Sequence, residues 1–305
     1  MKYYAGIDIG GTRIKMGIIN ELGEVIVNEN EETKKEKLEL FTQIDHFIKR
    51  HSYQIEGVGL STPGVIRSDG YAQTSGAIHC FLNCYVQQEL EAFLHLPVIV
   101  ENDAKSAAMA EKWIGAAKDE DSFACLTLGT AVGGAIYMNG QLVRGLGGLA
   151  GEFGVALSSL QPGDYNEHSF SYHAATVAGL CREYSYSVKE RVLDARVIIE
   201  RSQQGDEVAK QCLSHFYHAV AVLFVNIAVM IAPEVIIVGG GISENQEVME
   251  AIEEEYQNIC KDYHVLSLVE MPHILTCQLK NDAGMIGAVY SFLRRYKKIN
   301  DGNSI

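Results

Sequence analysis

The sequence predicts an α/β protein built as two similar lobes across a cleft. Three observations point there. The apolar run Tyr3–Ile9 ends in Gly10-Gly11-Thr12 and is answered by a second run, Ile14–Ile19, so the chain opens as strand, glycine turn, strand. A degenerate echo recurs at Ser122–Leu128, Gly129-Thr130, Gly133-Gly134 and Ala135–Met138, closed by the turn Asn139-Gly140. Such a duplication suggests two related lobes, each offering one hairpin to a shared polyphosphate. The length, 305 residues, is enough for two packed lobes rather than one.

The opening turn carries the first chemical signal. Glycines let backbone N–H groups approach an anion without Cβ obstruction, and Thr12 adds a hydroxyl donor. Arg13 or Lys15 could add positive charge, and Asp8, just before the turn, could hold a hydrated Mg²⁺ that bridges phosphate oxygens. This is a hairpin cradle, distinct from the strand-to-helix GxxxxGK[ST] loop, which the chain lacks. An ordinary glycine hairpin has the same local pattern.

Val25–Asn30 continues the meander, and the charged stretch Glu29–Lys37 leads into an amphipathic helix with Leu38, Phe41, Ile44 and Ile48 at helical spacing. Val58–Leu60 is a short buried strand ending in Ser61-Thr62-Pro63-Gly64, a loop suited to a hydroxylated ligand or simply a turn. Asp69–Gly76 reads as an exposed turn and Val86–Leu94 as a helix. Pro97–Val100 is a strand that runs into Glu101-Asn102-Asp103, followed by a small-residue helix over Lys105–Trp113. Asn102 or Asp103 therefore falls at a strand end, where α/β sheets bind ligands, and equally at a helix N-cap. Asp119–Ser122 is an acidic boundary between lobes.

Further on, Gly145–Gly154 is glycine-dense and holds Glu152; Ser158–Tyr172 is a polar, irregular excursion. Helices follow from about Ala174, with a long one at Glu207–Ala232 stopped by Pro233. Val235–Val238 is a buried strand ending in Gly239-Gly240-Gly241, which permits close approach of a flat ring or a plain strand-to-helix connection. Asn281–Arg294 is a final helix with Ala283, Gly284, Gly287 and Ala288 on packed faces, and Arg295–Ile305 is a frayed polar tail. The expected division is residues 1–120 with the helix 281–298 packing back, and residues 121–280 as the second lobe.

Composition narrows the class. The 47% hydrophobic and 21% charged content is that of a soluble globular chain, and a net charge of −14 disfavours nucleic acid and anionic membranes. No signal-peptide core follows Met1, and the most apolar window, Ala219–Ala232, is interrupted by Asn226 and short for a membrane span. The seven cysteines are scattered, with only Cys80 and Cys84 close together, which fits reduced thiols in the cytoplasm rather than a disulfide frame or a four-ligand zinc site.

With these residues in hand, the chain resembles the ROK family of bacterial sugar kinases and sugar-responsive repressors from Tyr3 to about Leu293. The resemblance rests on Asp8-Ile9-Gly10-Gly11-Thr12, Ser61-Thr62-Pro63-Gly64, Glu101-Asn102-Asp103, Leu128-Gly129-Thr130, Gly151-Glu152-Phe153-Gly154 and Gly239-Gly240-Gly241, each weak alone and strong as an ordered set. It implies the actin-like ATPase (ribonuclease H-like) fold, two lobes with a central cleft, and an ATP- and Mg²⁺-dependent sugar kinase. By the same resemblance Asp103 would be the catalytic base accepting the proton of a sugar hydroxyl. Asn102 and Glu152 would bind sugar hydroxyls, and Gly64 would lie along the sugar. Asp8, Ile9, Gly10, Gly11, Thr12, Gly129 and Thr130 would handle phosphates and metal, with Asp8 reaching Mg²⁺ through water and Gly240 near adenosine. A homodimer is also implied.

Two departures from the family pattern bear on the substrate. The family histidine after the glycine-glutamate segment is Val155 here, and the cysteine cluster of its structural zinc site is missing from Ser158–Tyr172. No zinc is expected, and His168 and His173 read as surface or packing residues. A glutamate that contacts the anomeric end of the sugar falls on Glu167 or Ser171, depending on gap placement. Both changes affect the C1–C2 end of the sugar. The expectation is therefore a zinc-lacking member resembling bacterial β-glucoside kinases, which phosphorylates the 6-hydroxyl of a glucosyl unit in a substrate such as cellobiose. The rivals are a free-hexose kinase for glucose, fructose, allose or N-acetylmannosamine, and a sugar-sensing regulator. Because the cradle begins within ten residues of Met1, a regulator would act without its own helix-turn-helix module. A third rival is an actin-like ATPase that binds no sugar, which Asn102, Asp103 and Glu152 speak against.

Overall fold

The structure, a computed structural model, describes residues 1–297. In chain order the elements are β1 (Tyr3–Ile9), β2 (Arg13–Asn20), β3 (Val25–Glu32), α1 (Lys37–Arg50), β4 (Ile55–Thr62), β5 (Tyr71–Ala72), β6 (Cys84–Tyr85), α2 (Val86–Leu94), β7 (Val98–Asn102) and α3 (Asp103–Ile114). They continue with β8 (Phe123–Leu128), β9 (Val132–Met138), β10 (Gln141–Val143), α4 (Phe170–Ala174), α5 (Arg182–Val188), α6 (Ala195–Gln203), α7 (Glu207–Ile231), β11 (Val235–Gly239), α8 (Gln246–Asp262), β12 (His273–Thr276) and α9 (Ala283–Tyr296). The chain divides into two compact units. Unit 1 holds Met1–Asp119, Asn139–Ala150 and the chain from Gln278; unit 2 holds Glu120–Met138 and Gly151–Cys277.

Unit 1 is built on a sheet of order β3-β2-β1-β4-β7. β1 pairs antiparallel with β2 and parallel with β4, and β4 pairs parallel with β7. The central strands are apolar on both faces because helices cover both sides. One face packs Leu40, Phe41, Ile44 and Phe47 of α1 with Val86 and Leu90 of α2. The other face takes Met285, Ile286, Val289 and Phe292 of α9, with α3 beside it. β3 is the edge strand; its alternation of exposed and half-buried residues and its glutamates discourage further pairing. In α1 the buried stripe differs from the one the spacing predicts. Leu38 is 66% exposed while Leu40 and Phe47 are fully buried, so the buried stripe runs through Leu40, Phe41, Ile44 and Phe47.

Asn139–Ala150, assigned by sequence to the second lobe, packs with unit 1. Its ties explain the difference: Arg294 donates to the Gly140 carbonyl (3.1 Å), Gln73 to the Gly147 carbonyl (3.0 Å), and Arg144 pairs with Glu101.

Unit 2 repeats the topology. β8 pairs antiparallel with β9 and parallel with β11, and β12 lies parallel on the far side of β11. α7 is its core helix, burying Phe216, Val220, Phe224 and Ile227 against α8 and the sheet. By length and composition α7 could cross a membrane, longer than the window read from sequence because the helix already begins at Glu207. Its apolar residues instead build the core of this unit. Asp206 caps it by accepting from Val208 and Ala209 N–H, and it ends at Ala232 in the left-handed region just before Pro233. All seven cysteines are free thiols. The last residues of the expected C-terminal tail and of the helix 281–298 lie outside the described residues.

Candidate active site

The parallel strands β1, β4 and β7 bring their C-terminal ends side by side. Their register pairs Asp8 with Ser61 and Thr62 with Asn102. Ser61 Oγ donates to Asp8 Oδ1 at 2.7 Å, and Lys15 sits opposite Asp8 in the hairpin register. Enclosure by protein pushes the Asp8 carboxyl above the usual carboxylate range, while the Ser61 hydrogen bond and the Lys15 charge draw it part of the way back. Gly284, in the first turn of α9, lies so close that any Cβ there would strike the Asp8 carboxylate. The sequence motif contained Ser61 without showing its partner, and Gly284 carried only a packing signal.

The hairpin beyond Asp8 is held from outside the β1–β2 pair. Gly10 N–H donates to the Arg13 carbonyl (2.9 Å), Thr33 Oγ1 to the Gly10 carbonyl (2.8 Å) and Thr33 N–H to the Thr12 carbonyl (2.9 Å). Lys35 Nζ donates to the Gly11 carbonyl, placing a cation beside the turn that sequence inspection missed. Gly10 and Thr12 are exposed, whereas the Ile9 side chain is buried in the core, so only the backbone of Ile9 can meet a ligand. Arg13 differs from expectation. Its guanidinium reaches back to Asn30, Nε to Oδ1 at 2.7 Å and Nη2 to the carbonyl at 2.8 Å, so it staples β2 to β3.

At the end of β7, both readings of Asn102 hold together. Its Oδ1 caps α3 by accepting from Lys105 N–H (3.0 Å), a bond worth about 1 kcal/mol. Its Nδ2 donates to the Gly64 carbonyl (2.9 Å) and to Asp103 Oδ1 (3.0 Å). One amide thus links the Ser61–Gly64 loop to the first residue of α3. Asp103 Oδ1 also accepts from Ala104 N–H (2.8 Å), and Asp103 itself is exposed. This arrangement can orient a hydroxyl and accept its proton.

Unit 2 contributes a cavity of about 760 Å³ at the second hairpin, lined by Gly129, Thr130, Thr176, Val177 and Leu193, with Gly241, Ile242 and Glu244 also in its walls. The turn is held by bonds from the following segment: Val177 N–H to the Gly129 carbonyl and Ala178 N–H to the Thr130 carbonyl, both 3.1 Å, and Thr176 Oγ1 to the Leu128 carbonyl at 2.9 Å. Gly240 is the residue directly before Gly241, which lines the cavity. Its φ is +98° and it lies against the Leu128 backbone, so it lets β11 turn while Gly241 faces the cavity. Thr176, Leu193 and Asp194 sit near helix ends distant in sequence from the glycine motifs, and no pattern singled them out.

Glu152 is half-buried and follows directly on Gly151, where the chain re-enters unit 2. Ser171 Oγ accepts from Val132 N–H (3.1 Å) and so backs the second hairpin, whereas Glu167 sits on an exposed turn and accepts from Tyr172 Oη at 3.3 Å. His168 packs edge-on to Tyr165 and the exposed His173 edge-on to Tyr172. Among the described residues no group of three or more His, Cys, Asp or Glu is placed to hold a metal.

The ROK family model matches residues 4–295. The chain belongs to the ROK family. A β-glucoside kinase of Listeria monocytogenes is 32% identical over 296 residues, 95% of this chain and 97% of that protein. Among solved structures, a ROK family protein from Streptococcus pneumoniae in complex with sucrose superposes with a TM-score of 0.88 at 26% identity, covering 97% of this chain and 100% of that one. A ROK family glucokinase from Streptomyces griseus in complex with glucose and AMPPNP gives 0.79 at 25% identity, with 96% and 99% covered. The fold is that of the actin-like ATPases, and the chain is an ATP-dependent carbohydrate kinase.

Proposed function

We propose that this ROK kinase phosphorylates the 6-hydroxyl of a glucosyl unit, preferably in a β-glucoside such as cellobiose. The observation that carries the substrate is the near full-length similarity to a protein named β-glucoside kinase. The open stretch after Glu152 supports it. Val155 is 66% exposed and residues 161–167 are exposed, where family members carry a zinc-bound wall at the anomeric end.

In this reading Asp103 accepts the proton as the sugar hydroxyl attacks, since a neutral alcohol is a weak nucleophile. Asn102 holds Asp103 and Gly64 in register; a sugar hydroxyl bound by its amide would replace one of those bonds. Glu152 binds a further hydroxyl. Gly10, Gly11, Thr12, Gly129 and Thr130 meet phosphates through backbone N–H and hydroxyl groups, and the cavity of unit 2 takes adenosine. Asp8 fits Mg²⁺ held through water, because a cation beside an enclosed carboxylate offsets the cost of burying its charge. Bound there, Mg²⁺ would neutralise phosphate charge, and positioning supplies most of the remaining catalysis. No zinc takes part, and the kinase works as a cytoplasmic homodimer.

The second reading, a free-hexose kinase, is favoured by the glucose-bound Streptomyces neighbour. An ADP-release assay with Mg-ATP against glucose, fructose, N-acetylmannosamine, cellobiose, gentiobiose and an aryl β-glucoside separates them. Higher kcat/KM for the β-glucosides is expected. A much higher value for a free hexose rejects the glycoside preference, and binding of sugar without any turnover points to a regulator.

A further inference from the structure

Glu101 is fully buried at the end of β7, yet Val98, Ile99 and Val100 before it are apolar and would suit that strand throughout. Its partner is Arg144, which follows β10. Arg144 Nη1 donates to Glu101 Oε1 at 3.0 Å, and Nη2 stands 2.6 Å from Oε2. Glu101 Oε1 also accepts from Asn102 N–H at 3.0 Å. The pair joins one hydrogen bond to one close charge contact, and its carboxylate is also bonded to the backbone of the residue that caps α3 and holds Asp103.

From Arg144 the chain enters a loop with left-handed glycines at 145, 147, 148 and 151. Such a loop loses much entropy on ordering. It is closed by Ala150 N–H to the Arg144 carbonyl (3.1 Å) and tied by Gln73 to the Gly147 carbonyl (3.0 Å). Glu152 follows directly. The ion pair therefore joins two segments far apart in sequence, each running straight into residues assigned to the sugar. Buried ion pairs are often replaceable by apolar residues without loss of stability. Stability alone thus gives weak reason for a charge at position 101.

We propose that Glu101 and Arg144 are a positioning pair for the sugar, fixing the 145–150 loop to the strand end that carries Asn102 and Asp103. The proposal rests on the kinase reading above. It predicts that the pair governs sugar handling and leaves nucleotide binding alone.

The test is the double variant E101M/R144M, with R144M and E101M alone, assayed by steady-state kinetics, thermal unfolding and hydrogen exchange on the full chain. The double variant should fold with an unchanged or higher Tm. Its sugar KM should rise roughly tenfold, the ordinary effect of a modest misplacement of a binding group, with the KM for ATP within about twofold of wild type. Exchange at 145–150 should quicken while the rest of the chain is unaffected. Normal sugar KM and kcat in the double variant would overturn the proposal, and so would equal losses for sugar and ATP. Wild-type protein that turns over no sugar would sink the kinase reading instead. The exchange data would still decide whether the pair anchors the loop, unchanged exchange counting against it.

Discussion

The two glycine hairpins share a topology and differ in what stands behind them. The β1–β2 turn is backed by charge: Asp8 enclosed against Ser61, Lys15 opposite, Lys35 on the Gly11 carbonyl and the first turn of α9 alongside. The β8–β9 turn has Thr127 where the first has Asp8, and it borders a cavity of about 760 Å³ with Val177, Leu193 and Ile242 in its walls. The first hairpin is backed by a carboxylate and two lysines, and the second borders a cavity whose walls mix Val177, Leu193 and Ile242 with Asp194, Arg196 and Glu244. A duplicated motif in sequence therefore marks two sites of similar geometry without implying equal chemistry.

That contrast can be broken from either side. Asp8→Asn should lower kcat by roughly 10²-fold, since in the function proposed above Asp8 would hold Mg²⁺ and such an ion supplies several kcal/mol of charge stabilisation. The same change should raise the Tm of the ligand-free protein at neutral pH. The folded-state pKa of Asp8 is raised, so the ionised carboxylate costs stability above that pKa, and the cost fades as pH falls through it. The Tm difference between Asp8→Asn and wild type should close toward acid pH. A Tm that falls at neutral pH would contradict the account of Asp8.

At the unit 2 cavity, Gly241→Leu should raise the KM for ATP about tenfold with sugar KM unchanged, by filling space that the proposed function gives to the nucleotide. Gly241 has open space at its Cβ position and a φ outside the left-handed region, so the fold should tolerate the change. An equal effect on sugar KM would erase the division of labour. Smallest of all, Arg13→Ala should alter kcat and both KM values by less than about twofold, because Arg13 holds Asn30 at the surface, and surface ties are worth little. A large loss would return Arg13 to the phosphates.

Much of this was legible in the sequence, and the residues explain where it stopped. β1, α2 and the Asn102-Asp103 junction were readable because local signals agree there: an apolar run ending in a glycine turn, helical spacing, and a cap residue directly after an apolar strand. The Asp8–Ser61 bond was not, since it depends on the parallel register of β1 and β4, 53 positions apart in the chain. Arg13 misled because its charge suits an anion site, while its direction follows from the β2–β3 pairing. The walls of the unit 2 cavity were illegible for a plainer reason. Thr176, Leu193 and Glu244 have no shared pattern, and only tertiary packing assembles them.

The most direct test of the central claim is the turnover of Asp103→Asn with Mg-ATP and the best substrate of the sugar panel. Asparagine keeps the shape and loses the base. The account predicts kcat reduced by roughly 10²–10⁴-fold, the usual weight of a positioned general base, with the Tm and the KM for ATP near wild type. Turnover within a few-fold of wild type would contradict it and remove Asp103 from the chemistry.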